Sequence, residues 1–210
     1  MRVKICGITN LADAEEAVRH GAWAIGLIHA PSPRSCDPDA AAEIGAAVRR
    51  RVEVAGVFVN PTLDEVARAV DQEALTMVQL SGDEGPAFCT EVARRTGAKV
   101  TKAVHVASAA DVHAAEVFRT DFHLFDARHP SRRGGTGQTF DWDLLAGRNT
   151  GVPALLAGGL RPENVADAIR AGRPDGVDVA SGVEAEPGRK DHRKLAAFFD
   201  AVRSASPAPA

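Results

Sequence analysis

A chain of 210 residues, 45% hydrophobic and 25% charged, is one globular domain by length and is long enough to bury a sizeable core. Its net charge of −3 gives no electrostatic reason to expect a nucleic acid or an anionic membrane as partner. No apolar run approaches the roughly 20 residues of a membrane span, and the chain enters a strand pattern at once, without a charged-then-apolar leader.

Short β-rich runs alternate with amphipathic helical stretches from end to end. The predicted strands are Arg2–Cys6, Trp23–Ile28, Glu53–Val59, Met77–Leu80, Lys99–Val104, Phe122–Asp126, Ala154–Ala157 and Gly176–Ala180. The helical stretches that follow them are Leu11–His20, Pro38–Arg50, Leu63–Val70, Gly85–Thr96, Ala109–Phe118, a short one near Phe140–Ala146, Pro162–Ala171 and His192–Val202. Thr9 or Asn10, Asp37 before Pro38, Thr62, Ser108 and Arg161-Pro162 supply starts, and Gly21, Gly97 and Gly172 supply stops. Cys6, Cys36 and Cys89 are odd in number and widely spaced, which fits a reducing, cytoplasmic compartment. The seven histidines show no ligand spacing, so no metal is expected.

Eight βα units of about 26 residues each predict an α/β fold of the single-domain (β/α)8 TIM barrel type over residues 1–203. A doubly wound sheet normally stops at five or six strands. The Pro-rich residues 204–210 read as a disordered tail. Strand parity then chooses the lumen. The outer faces are covered by helices and must be apolar, so Val3 and Ile5 point outward, which sends Lys4 and Cys6 inward. Val177 and Val179 outward likewise send Asp178 inward. The first and last strands are neighbours in a closed barrel, so Lys4 and Asp178 are expected to pair. Asp126 ends the sixth strand at the same mouth.

Glycines close the last two strands, in Ala157-Gly158-Gly159-Leu160 and in Ala180-Ser181-Gly182-Val183. Such ends leave backbone N–H groups to converge on an anion, and barrels often bind phosphate there. The loop with Gly134-Gly135-Thr136-Gly137 is long and basic, and reads equally as a lid, an anion contact or a solvated loop. Arg34, in Ser32-Pro33-Arg34, has a fork suited to a carboxylate or an aromatic face, although a single exposed arginine is usually just solvated.

Taken together, Val3-Lys4-Ile5-Cys6-Gly7-Ile8-Thr9, Ser32-Pro33-Arg34, Val57-Phe58-Val59-Asn60, Val78-Gln79-Leu80, Gly134-Gly135-Thr136-Gly137 with Phe140-Asp141-Trp142, Ala157-Gly158-Gly159-Leu160 with Pro162-Glu163-Asn164-Val165, and Val177 to Glu184 with Pro187-Gly188 closely resemble the phosphoribosylanthranilate isomerases of tryptophan biosynthesis. The resemblance spans nearly the whole chain. It implies a cofactor-free Amadori rearrangement of a small phosphorylated aminosugar, N-(5-phosphoribosyl)anthranilate, by a monomer or homodimer. By the family's pattern Cys6 is the general base and Asp126 the general acid. Arg34 contacts the anthranilate, Asp178 lies near the sugar, Gly158, Gly159, Ser181 and Gly182 hold the phosphate, and Lys4 is counted with Arg34 and Asp178 among the substrate-binding residues. On physical grounds, burial is expected to raise the Asp126 pKa, and Lys4 with a helix N-terminus to lower that of Cys6.

Three positions depart from the family's pattern in or near the expected site. Ser81 stands where a histidine usually follows Gln-Leu, the second strand ends Gly26-Leu27-Ile28-His29, and Ala180 precedes Ser181. The alternatives are a diverged isomerase of a related aminoaldose, a bifunctional histidine/tryptophan isomerase and a non-enzymatic phosphate-ligand binder. A bifunctional enzyme would be expected to carry an acid at the position of Cys6, and retention of Cys6, Asp126 and both phosphate ends argues against a mere binder.

Overall fold

The computed structural model describes residues 1–127 and 141–205. The first half of the chain runs β1 (Arg2–Cys6), α1 (Leu11–His20), β2 (Ala24–Ile28), α2 (Pro38–Val48), β3 (Glu53–Phe58), α3 (Leu63–Gln72), β4 (Met77–Leu80) and α4 (Pro86–Thr96). The second half runs β5 (Lys99–Val106), α5 (Ala109–Ala114), β6 (Phe122–Ala127), β7 (Ala154–Leu156), α6 (Val165–Gly172), β8 (Gly176–Val179), β9 (Glu184–Glu186), β10 (Arg189–Lys190) and α7 (His192–Ala205). Strands β1 to β8 close into a parallel barrel in chain order, and β9 and β10 form a separate antiparallel hairpin. The expected (β/α)8 barrel is the observed fold.

Local chemistry explains the helix ends. Asn10, not Thr9, caps α1, its side chain accepting from the Asp13 N–H at 2.9 Å. Thr62 and Glu65 make a reciprocal capping box at α3. Gly21 and Gly97 take left-handed conformations at the ends of α1 and α4, as expected. Helix α6 differs at both ends. A turn occupies Arg161–Asn164, the helix starts at Val165, and the left-handed stop is Arg173 (φ 44°) rather than Gly172. Among the described residues the sixth connection carries a 3-10 turn over Trp142–Gly147, and α5 ends in a second one over Ala115–Val117. Helix α7 continues through Ser204 and Ala205, two residues into the expected tail.

The register fixes which side chains enter the barrel. Lys4 lies beside Ala24 of β2 and Asp178 of β8, Cys6 beside Gly26, and His105 beside Asp126. Neighbours in a parallel sheet share a face, so all of these point into the lumen. The lower lumen is packed by Ala55, Met77, Ala103, Phe122, Leu124, Leu155 and Ala157, with Trp23 against them. At the floor, Trp23 and Phe122 lie 4.9 Å apart and the Arg2 guanidinium covers both rings at 5.7 and 5.5 Å. Three strand starts are clamped there by loop side chains. Val54 N donates to Thr76 Oγ1 (2.9 Å), Val100 N to Asp121 Oδ2 (2.8 Å) and Ala154 N to Asp175 Oδ2 (2.7 Å). The alternate residues, such as Ile5, Ile25, Leu27, Val54, Val78 and Val100, build the larger core between barrel and helices.

Candidate active site

The mouth is built on one ion pair. Lys4 Nζ donates to Asp178 Oδ1 at 2.9 Å across the seam that closes the barrel, as strand parity requires. The lysine side chain is wholly buried, so it lies behind Cys6 and Asp178. Burial opposes its charge, but Asp178 and Cys6 outweigh that and hold its pKa above the ordinary lysine value.

Cys6 ends β1 directly above this pair. A Cβ at Gly26 would sit 2.8 Å from the Cys6 Sγ and 3.0 Å from Lys4 Nζ, so the thiol and the ammonium occupy space that only glycine leaves on the neighbouring strand. The expected drop in the thiol pKa is not what the surroundings produce. Burial pushes the Cys6 thiol up, and the lowering influence of Lys4 and Lys190 does not overcome it. Cys36 and Cys89, also buried and free, are raised as well.

Asp126 behaves as expected. Burial of its carboxyl, with repulsion from Asp178, raises its pKa to about 7, while the Ala127 N–H and Lys4 pull the other way. The side chain lies against the first glycine after β7, for a Cβ on Gly158 would meet its Oδ1 at 2.9 Å. Gly158 and Gly159 both have positive φ, 89° and 63°. The loop after β8 touches this one. A Cβ on Gly182 would fall 1.8 Å from the Leu160 carbonyl oxygen, so the two loops expected to hold phosphate meet backbone to backbone. Ser181 opens the 3-10 turn after β8, and Asn164 ties the Gly159 carbonyl down at 3.0 Å. The four glycine-loop residues, Asp126, Asp178 and Cys6 thus converge on one end of the barrel. Gly134, Gly135, Thr136 and Gly137 lie outside the described residues.

Arg34 is not a solvated side chain. Its Nε donates to Glu184 Oε1 and Oε2 at 2.9 and 3.0 Å and its Nη2 to Oε2 at 2.8 Å. Glu184 also accepts from Lys190 Nζ at 3.0 Å. Lys190 does not stand out in the sequence, and Glu184 enters it only as the last residue of the motif Val177 to Glu184, with no role attached.

Two of the departing positions are at the mouth. Ser81 follows β4 and accepts from Gln79 Nε2 at 3.1 Å, and Ala180 accepts from Lys190 Nζ at 3.3 Å. His29 is not there. It continues the outward parity of Ile25 and Leu27, stacks on Phe58 with ring centroids 4.7 Å apart, and places Nε2 3.0 Å from the buried Glu73 carboxylate. It lines a cleft of about 370 Å³ between barrel and helices and takes no part in the lumen. A residue the sequence reading passed over, His105, faces the lumen on the strand next to Asp126.

The family model for N-(5'phosphoribosyl)anthranilate (PRA) isomerase matches residues 3–201. The chain belongs to that family. It is 44% identical over 206 residues to the N-(5'-phosphoribosyl)anthranilate isomerase of Magnetococcus marinus, covering 98% of this chain and 96% of the relative. The phosphoribosyl anthranilate isomerase of Thermotoga maritima superposes with a TM-score of 0.87 at 38% identity, over 97% of this chain and 99% of that one. A phosphoribosyl anthranilate isomerase solved in complex with reduced 1-(o-carboxyphenylamino)-1-deoxyribulose 5-phosphate gives 0.84 at 37% identity, over 97% and 99%. Family membership and fold therefore rest on sequence and structure alike.

Proposed function

We propose that this chain is a phosphoribosylanthranilate isomerase that converts N-(5-phosphoribosyl)anthranilate to 1-(2-carboxyphenylamino)-1-deoxyribulose 5-phosphate, with Cys6 as general base and Asp126 as general acid. The observation that carries the assignment is the pairing of a lumen-facing thiol on β1 with a carboxyl held near pH 7 on β6, at one mouth with the two touching glycine loops. A carboxyl that is half protonated at neutral pH can protonate the furanose oxygen. The ring then opens to the iminium, whose C2 proton is acidic. The Cys6 thiolate takes that proton and leaves the enaminol. Protonation at C1 and loss of the C2 hydroxyl proton complete the aminoketose, so no atom is gained or lost and no cofactor enters. The glycine loops after β7 and β8 would hold the phosphate, and Asp178, oriented by Lys4, would face the sugar.

The two pKa directions carry a kinetic consequence. The thiol starts from an ordinary value of 9.0 and is raised, whereas the acid lies at about 7. The productive pair, thiolate with protonated acid, is then a minority form of the free enzyme. The profile of kcat/KM is expected to be bell-shaped, with a lower limb that breaks near pH 7, set by Asp126, and an upper limb set by the raised Cys6 thiol. Condensing anthranilate with ribose 5-phosphate supplies substrate for the direct test. Conversion to the aminoketose supports the assignment, and rescue of a tryptophan auxotroph lacking this isomerase checks it in cells. A folded, monodisperse protein that consumes no substrate would refute it.

A further inference from the structure

The hairpin after β8 reaches back over the mouth and joins three parts of the site. Its first residue, Glu184, holds the Arg34 fork through three contacts of 2.8 to 3.0 Å. Its last, Lys190, donates to Glu184 Oε1 (3.0 Å), to the Cys6 carbonyl (2.7 Å) and to the Ala180 carbonyl (3.3 Å), which uses all three ammonium hydrogens. The hairpin itself is fastened at its turn and its end. Thr9 Oγ1 donates to the Gly188 carbonyl at 2.5 Å, and the Lys190 N–H donates to Asp13 Oδ2 at 2.8 Å. The Lys190 side chain is 0% exposed and that of Glu184 5%. A buried pair of this kind contributes little net stability compared with apolar residues of the same volume. What it does supply is geometry: it ties the backbone of the candidate base to the backbone beside the phosphate loop, and both to the guanidinium.

The fork contacts also limit what Arg34 can do. Two of its nitrogens, Nε and Nη2, are committed to Glu184 in the plane of the guanidinium. That fixes the orientation of the plane, leaving its face for an aromatic ring and three N–H groups, two on Nη1 and one on Nη2, uncommitted to Glu184.

We propose that Glu184 and Lys190 are positioning residues of this site, Glu184 setting the Arg34 plane to read an arylamine with an ortho-carboxylate, and Lys190 holding and electrostatically supporting the Cys6 base. The proposal rests on the isomerase function above, and its tests separate the two. Ribose 5-phosphate condensed with anthranilate gives the carboxylated substrate, and condensed with aniline gives one without the carboxylate. Glu184→Gln is expected to lower kcat/KM for the anthranilate conjugate about 10- to 100-fold, chiefly through KM, and that for the aniline conjugate less than about threefold. Equal losses on both substrates would overturn the role of Glu184. Lys190 is tested without substrate, through the pH dependence of Cys6 alkylation by iodoacetamide, followed by mass spectrometry of the Cys6 peptide. Lys190→Met should move the midpoint upward and Lys190→Arg should restore it. Lys190→Gln, which keeps amide donors for the carbonyls but not the charge, gives the same reading if the methionine variant does not fold. An unchanged midpoint in either charge-removing variant overturns the role of Lys190. If the wild-type protein converts neither conjugate, the isomerase assignment fails, and the alkylation profile still decides whether Lys190 supports the thiolate.

Discussion

The floor and the mouth of this barrel are made from the same eight strands and treat polar groups in opposite ways. At the floor three loop side chains, Thr76, Asp121 and Asp175, take backbone partners at the starts of β3, β5 and β7. Arg2 is spread over two aromatic rings. At the mouth, charges are buried against one another, with Lys4, Asp178, Cys6 and Asp126 sharing one electrostatic environment, and the acid is driven to about pH 7. The floor spends its polar groups on strand alignment. The mouth holds groups in protonation states that water would not favour, which costs stability and creates reactivity.

Substitutions at the two ends should therefore separate stability from turnover. The largest effect is expected at the mouth. Cys6→Ser and Asp126→Asn should each lower kcat by about 10²- to 10⁴-fold with an unchanged circular dichroism spectrum; near-normal turnover in either would remove that residue from acid–base work. Next comes the buried pair. Lys4→Met leaves the Asp178 carboxylate uncompensated and should cost about 3–5 kcal/mol in denaturant unfolding, whereas Lys4→Met with Asp178→Leu should recover most of it. A double variant no more stable than the single one would show that the pair, not the orphaned charge, supplies the stability.

The pH dependence of stability sharpens the contrast at Asp126 itself. Its folded pKa of about 7 lies above the ordinary 3.8, so the folded state resists ionisation. The wild-type protein has the full contribution of this group below about pH 4 and loses it as pH rises to about 7, by up to about 4 kcal/mol. Asp126→Asn has no such loss, so its stability relative to wild type should climb over that window and stay level above it. A flat difference from pH 4 to 8 would place the carboxyl pKa near its ordinary value. The smallest effect belongs to the floor. Asp121→Ala removes the acceptor for the Val100 N–H and should cost about 1 kcal/mol while kcat stays within about twofold. A large loss of turnover there would erase the distinction between the two ends.

Much of this organisation can be read from residue order because the barrel repeats a simple rule. Outward residues must be apolar, so Val3, Ile5, Val177 and Val179 fix the inward positions of Lys4, Cys6 and Asp178 without reference to anything distant. The same rule, carried one step further along β2, places His29 outward after Ile25 and Leu27, and proximity in sequence to the site had obscured it. Two kinds of feature do not follow from local pattern. One is the balance of a pKa. The neighbour of Cys6 is visible in Val3-Lys4-Ile5-Cys6, but the burial that outweighs it belongs to the whole fold. The other is the hairpin. Glu184 and Lys190 lie in a polar, glycine-containing stretch whose period matches neither a helix nor a buried strand, and their partners Arg34 and Cys6 are 150 and 184 positions away. Helix α6 errs in a third way: the left-handed stop falls on Arg173, one residue beyond the glycine that would ordinarily take it.

The Lys4–Asp178 contact spans 174 positions, almost the full length of the chain. A ribosome that has delivered β1 through β4 has made a lysine destined for complete burial but not the carboxylate that neutralises it. Half-barrels of this protein should therefore gain little by closing early, and the emerging chain is kept from settling into a truncated core. Seam closure is a contact of long range, and it brings Cys6, Asp178 and Lys190 together. The candidate site is therefore incomplete until the last quarter of the chain, which carries Asp178 and Lys190, is in place.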